Sequence, residues 1–261
     1  MSQTLPTHAQ TVIIGGGSIG CNTAYQLTKL GMSDVVVLER DRLTSCTTWH
    51  AAGLIVGGLL KSEAECEIYL EGRRLYSEIE KETGVPTGFR DVGYIQLATN
   101  EERLHEMRRV APFMRRMGID IVEISQKETQ DLFPIGDLSN VLAGFYTAKD
   151  GRANPVDVTM SVAKGARMGG ARIFENTPVV EIMAKNGRAT GVRTADGQII
   201  TAENVVICGG MWSRQLGAKA GINLPLQAAE HYYLITDKIP DLSRNLPVIE
   251  DPSTYTYYRE E

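Results

Sequence analysis

Three glycines near the start of the chain have the spacing that a phosphate-binding turn requires. Gly15, Gly17 and Gly20 form the pattern GxGxxG between an apolar run and a helical pattern that begins at Ser18. The first glycine permits a tight turn, the second lets the backbone approach a pyrophosphate, and the third lets the helix pack on the strand. Free N–H groups and the dipole at the start of such a helix attract an anion. The sequence therefore predicts a dinucleotide site that includes Ser18.

A carboxylate follows at the position where such a fold binds ribose. Glu39 ends the next apolar run, Val35–Leu38, and Arg40 comes directly after it. A carboxylate there accepts hydrogen bonds from ribose hydroxyls and repels a 2′-phosphate, which disfavours NADP. We expect Arg40 to contact the cofactor as well. The pattern does not separate FAD from NAD, and a glycine-rich turn that binds no ligand is the alternative interpretation.

The segment LTSCTTWHAAGL, Leu43–Leu54, places hydroxyl, aromatic and small side chains around one histidine. Small residues let the backbone approach a flat ring, and hydroxyls such as that of Thr47 can donate to cofactor oxygens. His50 is the candidate for direct chemistry with the cofactor. The alternative is a histidine that is simply hydrogen-bonded in a buried loop.

The chain thus carries GGGSIG, VVVLER and TSCTTWHAAGL in order, followed by DGRANP (Asp150–Pro155), VVICGGMWS (Val205–Ser213) and EHYYLIT (Glu230–Thr236). Over nearly its whole length it resembles the dimethylglycine and sarcosine dehydrogenase family of FAD-dependent oxidoreductases, part of the D-amino-acid-oxidase-like superfamily. The resemblance implies that His50 carries FAD covalently through the flavin 8α-methyl group, which raises the flavin potential and prevents cofactor loss. Cys46 stands where relatives often have a small residue, and a packed thiol is the simple explanation for it.

The resemblance also implies roles for residues later in the chain. His231, in an EHYYLIT-like strand, and Tyr257, in a later strand, are the expected catalytic residues beside the flavin. Because strand side chains alternate, only one of Tyr257 and Tyr258 can face the pocket. Backbone groups at Val180 are expected to contact the adenine side of FAD, although a plain core strand explains this residue equally well. Gly209 follows the last parallel strand and is expected to lie close to the cofactor.

The implied activity is the oxidation of an N-methylated glycine, with hydride transfer to flavin N5. The expected partners are a small N-methyl amino acid and, through a C-terminal region that many family members carry, a folate that captures the one-carbon unit. Two alternatives stay open at this point. One is a non-covalent FAD amino-acid oxidase, and the other is a non-catalytic flavoprotein-like subunit such as the regulatory subunit of pyruvate dehydrogenase phosphatase.

Apolar periodicity and turn residues predict the elements that position these groups. A βαβ unit comprises a strand at 11–14, a helix from 18 to about 30 and a strand at 35–38. Asn-Gly and Asp-Gly pairs at 186–187 and 196–197 predict hairpins. Further helices are predicted at 62–82, 101–117 and 154–168, and further strands at 91–98, 143–147, 171–175, 179–184, 189–194, 198–202 and 205–208.

These elements predict an α/β fold: a Rossmann-like FAD-binding fold with a β-meander, and an inserted, incomplete antiparallel α+β substrate domain. Residues 1–85 and 145–225 are expected to form the FAD-binding domain. Residues 86–144 and 226–261 are expected to form the substrate domain. Since the sequence stops within that domain, we expect a fragment of a longer protein.

The composition is that of an ordinary globular protein, with 43% hydrophobic residues, a net charge of −5 and a sequence pI near 5.5. The absence of a basic block argues against a nucleic-acid partner. The four cysteines form no CxxC pair and are expected to be reduced thiols, with no metal site. The chain shows neither a targeting pattern nor a membrane-spanning run, so we expect a cytoplasmic protein.

Overall fold

The computed structural model describes residues 4–261, in which helices and strands alternate along most of the chain. The helices are α1 Ser18–Lys29, α2 Glu63–Thr83, α3 Glu101–Arg116, α4 Gln126–Leu132, α5 Pro155–Met168 and α6 Ser213–Lys219. The strands are β1 His8–Ile14, β2 Val35–Leu38, β3 Leu54–Ile55, β4 Tyr94–Ala98, β5 Ile121–Ile124, β6 Ala143–Thr147, β7 Gly151–Arg152, β8 Arg172–Phe174, β9 Val179–Lys185, β10 Arg188–Thr194, β11 Ile199–Ile207, β12 Val248–Asp251 and β13 Thr256–Tyr258.

Among the described residues, the first compact unit consists of 4–52, 79–87 and 155–233. Its six-stranded sheet has the order β8-β2-β1-β11-β10-β9. The strands β8, β2, β1 and β11 are parallel, and β9 and β10 add an antiparallel meander. β2 is buried at every position, as expected for a parallel strand that is covered on both faces. The predicted Rossmann-like fold with a β-meander is confirmed.

The two predicted hairpins of the meander are present. Asn186 and Gly187 both have positive φ angles, of 53° and 74°, which suits the tight turn between β9 and β10. One strand prediction is wrong, because residues 199–207 form a single strand rather than two. The parallel ladder between β11 and β1 continues through Asn204, whose backbone is in register with Thr11. Pairing with β1 therefore keeps β11 continuous through the polar residues at which the sequence predicted a break.

The second compact unit consists of Gly53–Glu78, Gly88–Asn154 and Leu234–Glu261. Its five-stranded sheet has the order β13-β12-β4-β6-β5, and it is antiparallel except for the β12–β4 pair. The apolar face of α3 packs on this sheet and buries Met107, Val110 and Met114. The boundaries differ from the expected division of the chain: residues 53–78 and 145–154 belong to this second unit, whereas residues 86–87 and 226–233 belong to the first.

Candidate functional site

The glycine-rich turn has the geometry that its sequence pattern predicts. Gly15 has a φ of +114°, which favours glycine. A Cβ at Gly20 would overlap the carbonyl oxygen of Gly15, so the helix can approach the strand only if residue 20 is glycine. Helix α1 begins after Gly17 without a side-chain cap, and its first turn contains no acidic residue. The start of α1 is therefore open to an anion.

Glu39 lies directly beneath this turn and is 7% exposed. Its Oε2 accepts a hydrogen bond from the Gly16 N–H at 2.6 Å, and its Oε1 accepts one from the Asp41 N–H at 2.9 Å. In the structure the carboxylate thus ties the glycine turn to the end of β2. Its contact with ribose stays a prediction. The Cys21 thiol also lies beneath the turn, where burial raises its pKa to about 12.

The segment that follows Glu39 folds back onto the glycine turn. Thr44 has a φ of +69°, and its N–H donates to the Gly16 carbonyl at 3.2 Å. The Thr48 hydroxyl accepts a hydrogen bond at 3.0 Å from the Ser18 N–H, at the start of α1. The sequence analysis passed over both threonines, although the hydroxyl-rich TSCTT string was the signal for them. Their contacts place the histidine-bearing segment directly against the predicted phosphate site.

His50 is exposed at the end of this segment. Its Nδ1 lies 3.1 Å from the Cys46 carbonyl oxygen, and its ring meets the Trp49 ring edge-on with the centroids 4.6 Å apart. A carbonyl oxygen can only accept, so Nδ1 must carry the proton in this contact. The neutral ring then has its lone pair on Nε2, which is the nitrogen available to react with an electrophile.

Arg40 links the same segment to the loop that follows β11. Its guanidinium lies 3.9 Å from the centroid of the Trp212 ring, and its Nη2 lies 3.3 Å from Cys46 Sγ. Gly209 precedes a 3-10 turn, Gly210–Trp212, in which Gly210 has a φ of +54°. The sequence analysis chose Gly209, but Gly210 is the position where the backbone favours glycine.

Two further predicted cofactor residues lie within the same unit. Thr47 is exposed, and its carbonyl accepts the N–H of His50 at 3.2 Å. Val180 lies near the start of β9, and its carbonyl oxygen is 3.4 Å from Lys219 Nζ. The strand approaches the ribose-binding region at its start, since the Thr177 N–H donates to the Glu39 carbonyl at 2.7 Å. Cofactor contact by either residue stays a prediction.

The two predicted catalytic residues belong to different units. His231 is exposed and belongs to a long segment, 222–239, without helix or strand, so the expected EHYYLIT strand is absent from the structure. This segment leaves Tyr232 and Leu234 more than 80% exposed, because no neighbouring strand pairs with it among the described residues. Tyr257 is half-buried in β13, while the adjacent Tyr258 is 62% exposed, as strand alternation predicts.

Asp150 of the DGRANP segment is a fully buried carboxylate that the sequence analysis did not select. It accepts hydrogen bonds from the Tyr69 hydroxyl and, at 2.7 Å, from the Gly57 N–H. Burial raises the pKa of Asp150 to about 6, against the opposing effect of these hydrogen bonds. The pKa of Tyr69 is also raised, first by burial and then by the Asp150 charge. The pair fixes α2 to the start of the DGRANP segment.

Comparison with known proteins agrees with the geometry. A family model described as "FAD dependent oxidoreductase" matches residues 10–261. The chain belongs to this FAD-dependent oxidoreductase family. Human mitochondrial sarcosine dehydrogenase is 39% identical over 99% of the chain, and human mitochondrial dimethylglycine dehydrogenase is 38% identical over 97%. The mouse mitochondrial pyruvate dehydrogenase phosphatase regulatory subunit is 34% identical over 99%.

The chain spans less than a third of each of these relatives, covering 28%, 29% and 30% of their lengths in the same order. Among solved structures, the L-proline dehydrogenase from P. horikoshii matches with a TM-score of 0.84 and 25% identity. That match covers 98% of this chain and 68% of the other chain.

The residues of the first unit fit the FAD that this family uses. The first turn of α1 contains no carboxylate, as a pyrophosphate requires. A Cβ added to Gly17 would lie 2.9 Å from the Thr48 hydroxyl oxygen, so a side chain there would crowd the phosphate site. Among residues 4–261, no group of three or more His, Cys, Asp or Glu side chains could hold a metal, and no helix could span a membrane.

Proposed function

We propose that this member of the FAD-dependent oxidoreductase family oxidises an N-methylated glycine of the sarcosine or dimethylglycine type, with FAD attached to His50. The support for the substrate class is the 36–39% identity to sarcosine and dimethylglycine dehydrogenases over almost the whole chain. The support for the attachment is the position and the tautomer of His50. When bound, FAD supplies the two-electron acceptor for oxidation of a C–N bond.

One observation carries the attachment proposal: the segment bearing His50 is hydrogen-bonded to the phosphate turn itself. Thr48 accepts from Ser18 at the first N–H of α1, only two residues before His50. The main-chain carbonyl of Cys46 fixes the ring so that Nε2 carries the lone pair. We therefore propose Nε2 as the nitrogen that would hold the flavin at its 8α-methyl carbon. That carbon would lose one hydrogen as a proton, and the two electrons released would reduce the flavin ring itself, which dioxygen would then reoxidise.

We further propose that His231 and Tyr257 act on the substrate. An amine is oxidised only when its nitrogen lone pair is available, so the protein needs a group that keeps the amine neutral. The imidazole of His231 offers a nitrogen that can accept that proton. Tyr257 offers a hydroxyl and an aromatic wall. The expected consequence is that the rate of flavin reduction by the substrate is lost in His231→Ala and lowered in Tyr257→Phe.

The attachment is tested by denaturing the purified protein and measuring its intact mass and its flavin fluorescence in a gel. Wild type should retain one FAD per chain, and His50→Ala should retain none. His105→Ala is the matched control, since this exposed histidine lies on α3 and pairs at 3.9 Å with Glu101. Flavin that washes away from the wild type would overturn the covalent bond and favour a non-covalent amino-acid oxidase.

The identity to a regulatory subunit favours a second candidate, a non-catalytic flavoprotein-like protein. Anaerobic addition of sarcosine or dimethylglycine to the flavin-loaded protein separates the two. Bleaching of the flavin absorbance supports the oxidoreductase. An unchanged spectrum with attached flavin supports the second candidate.

A further inference from the structure

A small cavity of the second unit is lined by two residues that each have a buried polar atom without a partner. The charged and polar lining comes from Tyr69 and Arg73 of α2, from Asp120 just before β5, and from Thr147 and Lys149 around the end of β6. Arg73 Nε and Thr147 Oγ1 are both buried, and neither makes a hydrogen bond within residues 4–261. Thr147 is only 2% exposed. Because a buried polar atom without a partner is costly, two of them at one cavity indicate a ligand that both contact.

Arg73 and Thr147 together require a ligand that accepts hydrogen bonds. A guanidinium group can only donate, and a threonine hydroxyl can donate as well as accept. Another nitrogen of Arg73, Nη1, donates to the Lys149 carbonyl oxygen at 3.4 Å, and the guanidinium carbon lies 6.0 Å from the centroid of the Tyr69 ring. These contacts hold the guanidinium at the cavity wall. The Nε–H of Arg73 and the Thr147 hydroxyl are therefore the two donors for a ligand.

The size of the cavity restricts the ligand to one atom or one water molecule. Its volume of about 10 Å³ is close to the minimum that holds a water, so a carboxylate or a phosphate is too large. The exposed side chains of Asp120 and Lys149 lie at its open side, which leaves room for an ion slightly larger than water. The donors favour an anion over water, because a hydrogen bond to an ionised group is roughly twice as strong as one between neutral groups.

The charged groups around the cavity balance at neutral pH and favour an anion once Asp150 is protonated. Arg73 and Lys149 are cationic, and Asp120 lies 3.8 Å from Lys149 Nζ. Asp150 lies behind Tyr69, whose hydroxyl donates to its carboxylate. The charge of Arg73 reaches this carboxylate and acts to lower its pKa. Protonation of Asp150 therefore leaves an excess of one positive charge beside the two donors, which attracts an anion.

We propose that this cavity binds a chloride ion, held by the Nε–H of Arg73 and the hydroxyl of Thr147. The ion joins α2 to the end of β6, next to the DGRANP segment. Chloride binding and protonation of Asp150 favour each other by the same factor, because linkage between two binding events is reciprocal. The site does not depend on the proposed flavin reaction.

The size of this linkage follows from the titration of Asp150. With a pKa of about 6, its carboxyl is roughly nine-tenths protonated at pH 5 and roughly one-tenth protonated at pH 7. In the limit where chloride binds only the protonated form, its apparent affinity is proportional to that fraction. Chloride should therefore bind up to about tenfold more tightly at pH 5 than at pH 7. In Asp150→Asn the affinity should be the same at both pH values.

The test uses the 261-residue chain without FAD. The Nε–Hε NMR signal of Arg73, assigned by its loss in Arg73→Lys, is followed during titration with sodium chloride, with sodium gluconate as a parallel arm at equal ionic strength. Chloride should change this signal with saturation, whereas gluconate is too large to enter. Thr147→Val, which keeps the side-chain shape and suits a strand, should weaken chloride binding about tenfold, and Thr147→Ser should retain it. Arg74→Gln is the matched control, since the adjacent Arg74 pairs with Glu71 and Glu78 on the exposed face of α2.

Equal changes with chloride and gluconate would overturn the proposal by showing charge screening alone. A signal that chloride leaves unchanged would assign the cavity to water. Equal chloride affinities for Thr147→Val and wild type would remove the hydroxyl from the site. An affinity that is the same at pH 5 and pH 7 in wild type would refute the linkage to Asp150.

Discussion

Asp150 offers a prediction whose size follows from the structure. Its carboxyl is buried completely and has a pKa of about 6, above the ordinary value of 3.8. A group with a raised pKa in the folded state binds its proton more tightly there than in the unfolded chain. Its contribution to stability is therefore fully present below the unfolded pKa and is lost as the pH rises through the folded pKa.

The shift of about two pKa units corresponds to a limiting stabilisation of ~3 kcal/mol on protonation, since one unit is about 1.4 kcal/mol. At pH 5, one unit below the folded pKa, about 1.4 kcal/mol of this should be gained relative to pH 7. Asp150→Asn removes the titration. As the pH falls from 7 to 5, the unfolding free energy of wild type should therefore rise by about 1.4 kcal/mol relative to that of the variant.

Urea unfolding followed by far-UV circular dichroism, which reports helices and strands of both units, measures this difference at pH 5, 6 and 7, and titration of all other groups cancels in it. Asp196→Asn is the control. Hydrogen bonds from Thr194 and Gln198 lower the pKa of this exposed carboxyl, so it titrates only below pH 4. The difference in unfolding free energy between wild type and Asp196→Asn should therefore stay constant from pH 5 to pH 7. A constant difference for Asp150→Asn as well would refute the reasoning about its burial.

Three further predictions concern two positions at the phosphate turn and one glycine of α2. Gly20→Ala should abolish FAD binding in a flavin-fluorescence titration, because the new methyl overlaps the Gly15 carbonyl. Gly72→Ala, in open space on α2, should instead raise stability by up to about 1 kcal/mol in thermal unfolding. Thr48→Val should weaken FAD binding about tenfold by removing the acceptor of the Ser18 N–H, whereas Thr48→Ser should keep wild-type affinity. Equal affinities for the Val and Ser variants would contradict that role.

Elements with local signals were predictable from the sequence. Helix α1 ends near Gly31, whose φ of +92° favours glycine, and α5 begins at Pro155, as expected. Helix α4 had a local signal that the sequence analysis did not use. Ser125 and Glu128 form a complete capping box at its start. These features depend on a few neighbouring residues, which is why a single sequence reveals them.

Features that depend on residues distant in the sequence were harder to predict. β11 is continuous because β1 pairs with it along its length, and the EHYYLIT segment is no strand because the described chain offers it no partner. Neither fact can be read from the segment itself. The hydrogen bond from the Gly16 N–H to the Glu39 carboxylate was likewise hidden, since it joins two loops that only the fold brings together. The cytoplasmic location stays a prediction.

The hydrogen bond that orients His50 has a consequence for substitutions at residue 46. Its acceptor is the main-chain oxygen of residue 46, which every amino acid supplies equally. A substitution of Cys46 would therefore keep the acceptor of the histidine ring while removing the contact between Sγ and Arg40. Because the backbone carbonyl of residue 46 orients the His50 ring, the amino-acid type at position 46 does not reveal this role.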